Sequence, residues 1–212
     1  MLNFTIDKKH NPSSRTKRQR ILAAATELFL EKGFSAASTT ELIRRTGGSK
    51  STIYSYFGDK AGLFTAVVDE LLVDSVSLLE SLDLAELSVR DALVQIADQY
   101  LKVVLSERYV GLMRIVIAEV NRFPEIGKAF YERGPGLSYA KFQNFLNARN
   151  AANEIAIIDT ARATDLFFGT LLHRELLRRI YGVEFKELRN RSATAIAVSD
   201  EFLLRYANNR LS

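Results

Sequence analysis

Lys50, Ser51, Thr52, Tyr54 and Tyr56 crowd into one short segment, SKSTIYSYF, and Lys60 follows four residues after Tyr56. Hydroxyls, a flexible ammonium and phenols hydrogen-bond phosphate oxygens and base edges, and small side chains let a helix backbone approach the major groove closely. The chemistry on offer is therefore recognition of a nucleic acid. The same segment carries Ile53 and Phe57 four residues apart, which would turn one face of a helix into a small core and leave the polar set outside.

Such a helix needs others to hold it. Ile21, Ala24, Ala25, Leu28 and Phe29 recur at the three-and-four spacing of an apolar helical face. Gly33 ends that helix as a C-cap, and Phe34 folds back on the stripe. Ser38 with Glu41 three residues later is a capping-box pattern, which starts a helix at Thr39 with Leu42 and Ile43 inward. Gly47-Gly48 breaks this second helix by supplying positive φ, and Ser49 caps the next. Gly58-Asp59 and Lys60 open a fourth helix, whose first amides and lysine could hold a further phosphate. A helical hairpin that merely packs, with its polar residues solvated, would show the same periodicity.

Charge separates these readings. Residues 1–60 hold 11 of the 29 Lys and Arg but only 5 of the 25 Asp and Glu, so a head of net +6 sits on a body of net −2 and the chain totals +4. A polyanion would attract that head, with steep salt dependence. Lys8, Lys9, Arg15, Lys17, Arg18 and Arg20 form a polar leader that could follow a phosphate backbone or lie solvated.

From Thr16 to about Leu71 the chain resembles the TetR family of bacterial one-component transcriptional regulators. The family pattern G-x-S-K-x-T-x-Y-x-x-F, then Lys, is matched by Gly47, Ser49, Lys50, Thr52, Tyr54, Phe57 and Lys60. The resemblance implies phosphate contacts from Thr39, Thr52, Tyr54, Tyr56 and Lys60 and base contacts from Thr40, Lys50 and Ser51. Ser38 and Ser49, at the two helix starts, complete the DNA-contact set. Three positions depart from the pattern: Gly48 for an apolar residue, Thr46 for Ala, and Ser51 for Gly, Ala or Pro. The stretch from Arg114 to Pro135, RIVIAEVNRFPEIGKAFYERGP, is similar to the C-terminal domain of the AefR-like branch. The family implies a homodimer, a palindromic double-stranded operator, repression, a small-molecule effector whose identity is unknown, and a cytoplasmic setting.

Composition bounds the remainder. With 212 residues, 47% hydrophobic, the chain can bury a sizeable core. No run of eighteen apolar residues occurs and Met1 to His10 lacks the apolar segment of a secretory signal, so no membrane partner is expected. Zero cysteines exclude disulfides and thiolate metal sites, and two histidines without a spaced carboxylate cluster give no metal site; no cofactor is expected. An enzyme is not expected either, since the chain has no P-loop, no G-x-S-x-G elbow and no H-E-x-x-H. A helical adaptor for an acidic protein would explain the charge but not the Ser49-Lys50-Thr52-Tyr54-Lys60 spacing.

Three prolines and scant alternation predict an all-α chain. Helices are expected at about 16–32, 39–46, 50–56, 60–80, 88–106, 108–122, 125–133, 136–149, 160–181 and 186–208, and Gly134-Pro135-Gly136 reads as an interhelical turn. The expected organisation is a DNA-binding domain over residues 1–70, a three-helix helix-turn-helix unit with its basic leader, followed by a helical bundle over 71–212 for dimerisation and ligand sensing. The border falls inside the fourth helix.

Two further sets arise in the bundle. Leu166, Gly169, Thr170, His173, Leu176, Leu177 and Ile180 form one stripe, while Ala193, Ile196, Ala197, Phe202 and Leu203 supply apolar surface on the last helix. These fit a dimer interface or a monomer core. His173 on that stripe could be a core, interface or titrating histidine. Tyr109 to Val120 is apolar apart from Arg114 and Glu119, which lie roughly 140° apart on a helix. Arg114 could anchor an acidic ligand, or Glu119 a basic one, in a pocket lined by Met113, Ile117, Phe130, Phe142, Phe145 and Phe168. Aromatics at helical spacing equally fit a packed core.

Overall fold

The expected apolar stripe forms in helix α1 (Pro12–Ala36): Ile21, Leu22, Ala25, Leu28 and Phe29 are buried, and Ala24 is half-buried at its margin. The computed structural model describes residues 12–81, 86–183 and 190–208, with side chains at 16–70, 86–172, 174–183 and 190–208. Lys8, Lys9 and His10 lie outside the described residues, as do the side chains of Arg15 and His173. The α1 trace breaks at Gly33, whose φ of 75° and ψ of 175° are left-handed and extended rather than helical. That break returns Phe34 to the stripe, stacked on Phe29 at 5.7 Å between ring centroids. Thr26 is buried among these residues but satisfied, its hydroxyl donating to Leu22 O at 2.9 Å.

Helices α2 (Thr39–Thr46), α3 (Lys50–Phe57) and α4 (Lys60–Ser81) complete the first part. Phe64 of α4 meets Phe29 and Phe34 edge-on at 5.3 and 5.4 Å, closing an aromatic triangle at the centre of this small core. Leu42, Ile53, Phe57, Leu63, Val67 and Val68 are buried in the same unit, and Ile43 is only half-buried. Gly62 is where α4 passes the end of α3: a Cβ there would stand 2.0 Å from Phe57 O.

Then follow α5 (Val89–Val104), α6 (Glu107–Glu119), α7 (Pro124–Arg133), α8 (Pro135–Ala151), α9 (Thr160–Ile180) and α10 (Arg191–Tyr206). Most start on a polar cap: Ser88, Ser106, Asp159 and Asn190 each accept amides of the first turn, which would otherwise lack partners. Gly134 alone separates α7 from α8, so Pro135 and Gly136 open α8 and do not belong to a turn. Proline suits that first position because its missing N–H would be unpaired there in any case. The last helix begins at Arg191 rather than near 186, and 184–189 lie outside the described residues.

Small buried residues let α5 and α10 lie close: Ala92 and Ala97 on one, Ala195 and Ser199 on the other. Arg90–Asp200 at 2.7 Å and Arg191–Asp98 at 2.9 Å cross between the two helices. The core beside them is aromatic, with Phe142 stacked on Phe167 at 4.5 Å, Tyr139 on Phe168 at 4.7 Å and Phe202 edge-on to Phe167 at 5.3 Å. Backbone contacts divide the chain into Met1–Glu70 and Leu71–Ser212, each compact in itself. Among the described residues no strand forms beyond the isolated bridge between Ile155 and Ala207.

Candidate nucleic-acid interface

Two serine caps set the two short helices of the first unit. Ser38 accepts the Glu41 amide at 3.1 Å, and Ser49 accepts the Thr52 amide at 3.2 Å, each from an extended backbone. Between them the chain turns on Gly47, at φ 66° and ψ 54°, whose N–H closes α2 on Ile43 O. Gly48 has no positive φ, and a Cβ there would reach only Thr46 Oγ1, at 4.0 Å. The turn thus needs one glycine where the sequence offered two. Gly47→Ala should cost about 1 kcal/mol of stability and Gly48→Ala close to nothing, checked by thermal unfolding of the two variants.

Helix α3 buries Ile53 and Phe57 and turns Lys50, Ser51 and Tyr54 outward. Lys50 Nζ sits 5.5 Å from the Tyr54 ring centre, a cation over a π face that pre-orders both groups on the outer surface. Ser49 Oγ lies 2.8 Å from Ser51 Oγ and 2.9 Å from Thr52 Oγ1, so the three hydroxyls form one cluster at the helix start. Thr52 and Tyr56 are half-buried, and Thr40 is exposed beside a half-buried Thr39 at the start of α2. Ser38, Thr39 and Thr40 therefore lie at the capped start of α2, Ser49 to Thr52 at the capped start of α3 with Tyr54 and Tyr56 one turn on, and Lys60 at the start of α4.

Lys60 has partners within the unit. Its ammonium donates to Ser35 O at 3.0 Å and lies 4.9 Å from the centre of the Phe34 ring, pinning the start of α4 to the end of α1. The Asp59 carboxylate accepts the Gly62 amide at 2.7 Å, so that amide of α4 is already satisfied and is not offered to a phosphate. Lys60→Ala should therefore lower the melting temperature of the unit, by the few degrees that about 1 kcal/mol produces; a lysine held only for phosphate would leave it unchanged.

Part of the basic head is neutralised. Arg45 spans Glu31 of α1 at 2.6 Å and Glu41 of α2 at 3.2 Å, while Arg44 pairs with Glu41 at 2.7 Å. Hydrogen bonds from Arg44 and then Arg45 hold the Glu41 carboxyl down at about 2. Arg45 is consequently a brace between α1 and α2, a role the sequence signalled only by the spacing of Glu41, Arg44 and Arg45 at i, i+3 and i+4. Arg18 and Arg20 remain exposed on α1, with Arg18 5.3 Å from the Phe57 ring centre.

Comparison with known proteins decides what this unit belongs to. Residues 21–67 match the family described as bacterial regulatory proteins, tetR family, and residues 91–208 match the AefR-like transcriptional repressor, C-terminal domain. The chain is a member of the TetR family. It is a transcriptional regulator with a helix-turn-helix DNA-binding unit, not an enzyme. The HTH-type transcriptional repressor Rv3405c of Mycobacterium tuberculosis (strain ATCC 25618 / H37Rv) is 28% identical over 179 residues, covering 84% of this chain and 85% of that protein. A TetR-family regulator from Mesorhizobium loti superposes with a TM-score of 0.80 at 28% identity, covering 93% of this chain and all of that one. The flavonoid-responsive regulator FrrA gives 0.74 at 29% identity, covering 92% and 99%. With another curated HTH-type regulator the match extends over 64 residues, and the chain spans about a third of that protein's length.

In this TetR-family chain the suggested ligand residues have several different surroundings. Arg114 caps another helix: its Nε donates to Ile180 O at 2.9 Å and its Nη2 to Arg179 O, at the carbonyl end of α9, where Arg179 O also accepts the Gly182 amide. Ile117 is 56% exposed, and Met113 beside it is half-buried. Phe142 and Phe168 lie in the closed aromatic core, Phe130 packs on Tyr109 at 5.1 Å, and half-buried Phe145 lies under Arg149 at 5.4 Å.

The suggested dimer stripe divides more simply. Leu166, Gly169, Thr170 and Leu177 on α9 and Ala193, Ile196 and Ala197 on α10 are exposed, Leu176, Ile180 and Leu203 are half-buried, and Phe202 is buried in the core. An added Cβ at Gly169 would meet nothing within 4 Å. No helix among the described residues is long and apolar enough to cross a membrane.

Proposed function

We propose that the chain is a homodimeric, cytoplasmic repressor that reads a palindromic operator through α3 and leaves it when a small molecule binds the second unit. The observation that carries this is the outer face of α3, where Lys50, Ser51 and Tyr54 stand exposed above buried Ile53 and Phe57 on a serine-capped helix. In this reading Lys50, Ser51 and Thr40 meet base edges, and Ser38, Thr39, Ser49, Thr52, Tyr54 and Tyr56 meet phosphate. Lys60 reaches phosphate only with donors beyond the one given to Ser35 O.

Dimerisation follows from the operator's symmetry, since two heads about a two-fold axis address two half-sites and gain avidity. The exposed apolar residues of α9 and α10 favour that pairing, with small side chains at Gly169, Ala193 and Ala197 for close approach. Repression is favoured by the match to the AefR-like repressor C-terminal domain and by the likeness to the repressor Rv3405c, and ligand response by the likeness to the flavonoid-responsive FrrA. Residues of both units lie on α4, so a ligand-driven shift in the second has a covalent helical route to the first.

Selection of duplexes from a random pool at about 0.15 M salt tests the reading. Enrichment of an inverted repeat bound by an even number of chains is the expected result; a folded sample that enriches nothing overturns it. Tyr54→Phe removes one hydroxyl while keeping the ring under Lys50, and should weaken binding to every duplex about fivefold. Lys50→Ala should instead change which bases are selected. A Tyr54→Phe protein that binds as well as the parent removes Tyr54 from the phosphate set.

A further inference from the structure

Although residues 61–212 carry a net charge of −2, one cleft of about 320 Å³ between α5, α9 and α10 gathers Lys102, Arg174, Arg178, Arg179 and Arg191 around a single lining carboxylate, Glu175. Its apolar lining is Leu101, Leu105 and Leu171. Three of the five cations are engaged. Arg191 pairs with Asp98 at 2.9 Å, Arg178 with Glu175 at 3.7 Å, and Arg179 with Glu175 at 3.3 Å while also donating to Leu105 O at 2.8 Å. Among the described residues Lys102 and Arg174 have no carboxylate partner within 4.0 Å, and both are exposed.

The hydroxyls in the cleft do not supply other donors. Thr170 Oγ1 donates to Leu166 O at 2.7 Å and Thr194 Oγ1 to Asn190 O at 3.2 Å, so each is left only its lone pairs. An occupant must therefore bring the negative charge and accept from Lys102 and Arg174, while its remaining surface replaces water on the three leucines. The volume lies at the lower end of the roughly 300–1,000 Å³ typical of small-molecule sites.

We propose that this cleft binds a small amphipathic organic anion, a carboxylate, sulfonate or phosphate on an apolar body, with Lys102 and Arg174 as its charge partners. The inference rests on the effector-responsive reading above and gives its effector a chemical class and a place. The cleft is distinct from the aromatic set around Phe142, none of which lines it. Thr170 belongs to the stripe assigned to the dimer face and Arg174 follows it by one helical turn, so the occupant would lie at the edge of the surface that fixes the spacing of the two heads.

The test uses the full chain and 8-anilinonaphthalene-1-sulfonate, an amphipathic anion whose fluorescence rises in an apolar site, with octanoate and inorganic phosphate as competitors. Saturable binding displaced by octanoate is expected, weakened about tenfold in Lys102→Gln and again in Arg174→Gln, while circular dichroism melts stay at the parental temperature. Displacement by phosphate as strongly as by octanoate would make the site a plain anion site and overturn the amphipathic assignment. Equal affinity in both variants, or no saturable binding, overturns the cleft altogether and leaves DNA recognition standing. Binding that follows the expected pattern but never changes affinity for the selected duplex keeps the cleft and removes the release mechanism.

Discussion

Gly169→Glu should leave the monomer folded and abolish its pairing. Gly169 is exposed on α9, a Cβ there would touch nothing within 4 Å, and its neighbours Leu166 and Leu177 are 40% and 39% exposed. Within one chain the substitution even helps, because glycine in a helix interior costs about 0.8–1.0 kcal/mol relative to Ala and glutamate far less. Across a two-fold interface the balance reverses. Each new carboxylate would face the same apolar patch, and near the axis its own copy, so burial strips water from a charge that has no partner. The expected result is an unchanged or slightly higher melting temperature, a monomer by sedimentation equilibrium, and loss of about two to four orders of magnitude in affinity for a two-half-site duplex. Affinity for a single half-site should hardly change, which separates lost avidity from a damaged reading head. A Gly169→Glu protein that still sediments as a dimer places the interface on another face.

The first unit was legible because its punctuation is local. Ser38, Gly47, Ser49 and Gly58 each act within one turn of their own position, so the sequence carries the whole of the signal that starts or stops a helix. Even there, local reasoning could not tell which glycine of Gly47-Gly48 bears the left-handed backbone, since that depends on how α3 packs afterwards. Arg45 and Lys60 were harder. Each counts as a free positive charge in a sequence sum, yet Arg45 is held by Glu31 and Lys60 by Ser35 O, partners that only the fold brings near.

In the second unit the same limit decides more. Phe142 and Phe168 come from α8 and α9, and their packing with Phe167 and Phe202 exists only once these helices meet α10. Arg114 looked like a ligand anchor because an isolated charge on an apolar helix requires a partner; the partner is the carbonyl end of α9, which no pattern in its own helix reveals. The cationic cleft was invisible for a similar reason. Arg174, Arg178 and Arg179 follow one another on α9, but Lys102 comes from α5 and Arg191 from α10, so their convergence exists only in the folded bundle.

Phe64→Ala should be the most damaging single change within the first unit. Phe64 has no exposed surface and makes two sides of the triangle with Phe29 and Phe34, at 5.3 and 5.4 Å. Truncating it removes the transfer free energy of a large aromatic ring and leaves a cavity beside the two other rings, a loss of about 3–5 kcal/mol. A small unit has little stability beyond that amount. The α2–α3 surface depends on this core through Leu42, Ile53 and Phe57, so duplex binding should vanish rather than weaken. The anion cleft contains no residue of the first unit, which gives the variant its control: saturable binding of 8-anilinonaphthalene-1-sulfonate, displaced by octanoate, should persist. Calorimetry should show the transition of one unit moved to lower temperature and the other in place. A Phe64→Ala protein that keeps its duplex affinity and melts as the parent does would mean that the reading head is held by its caps and ion pairs, not by the aromatic triangle.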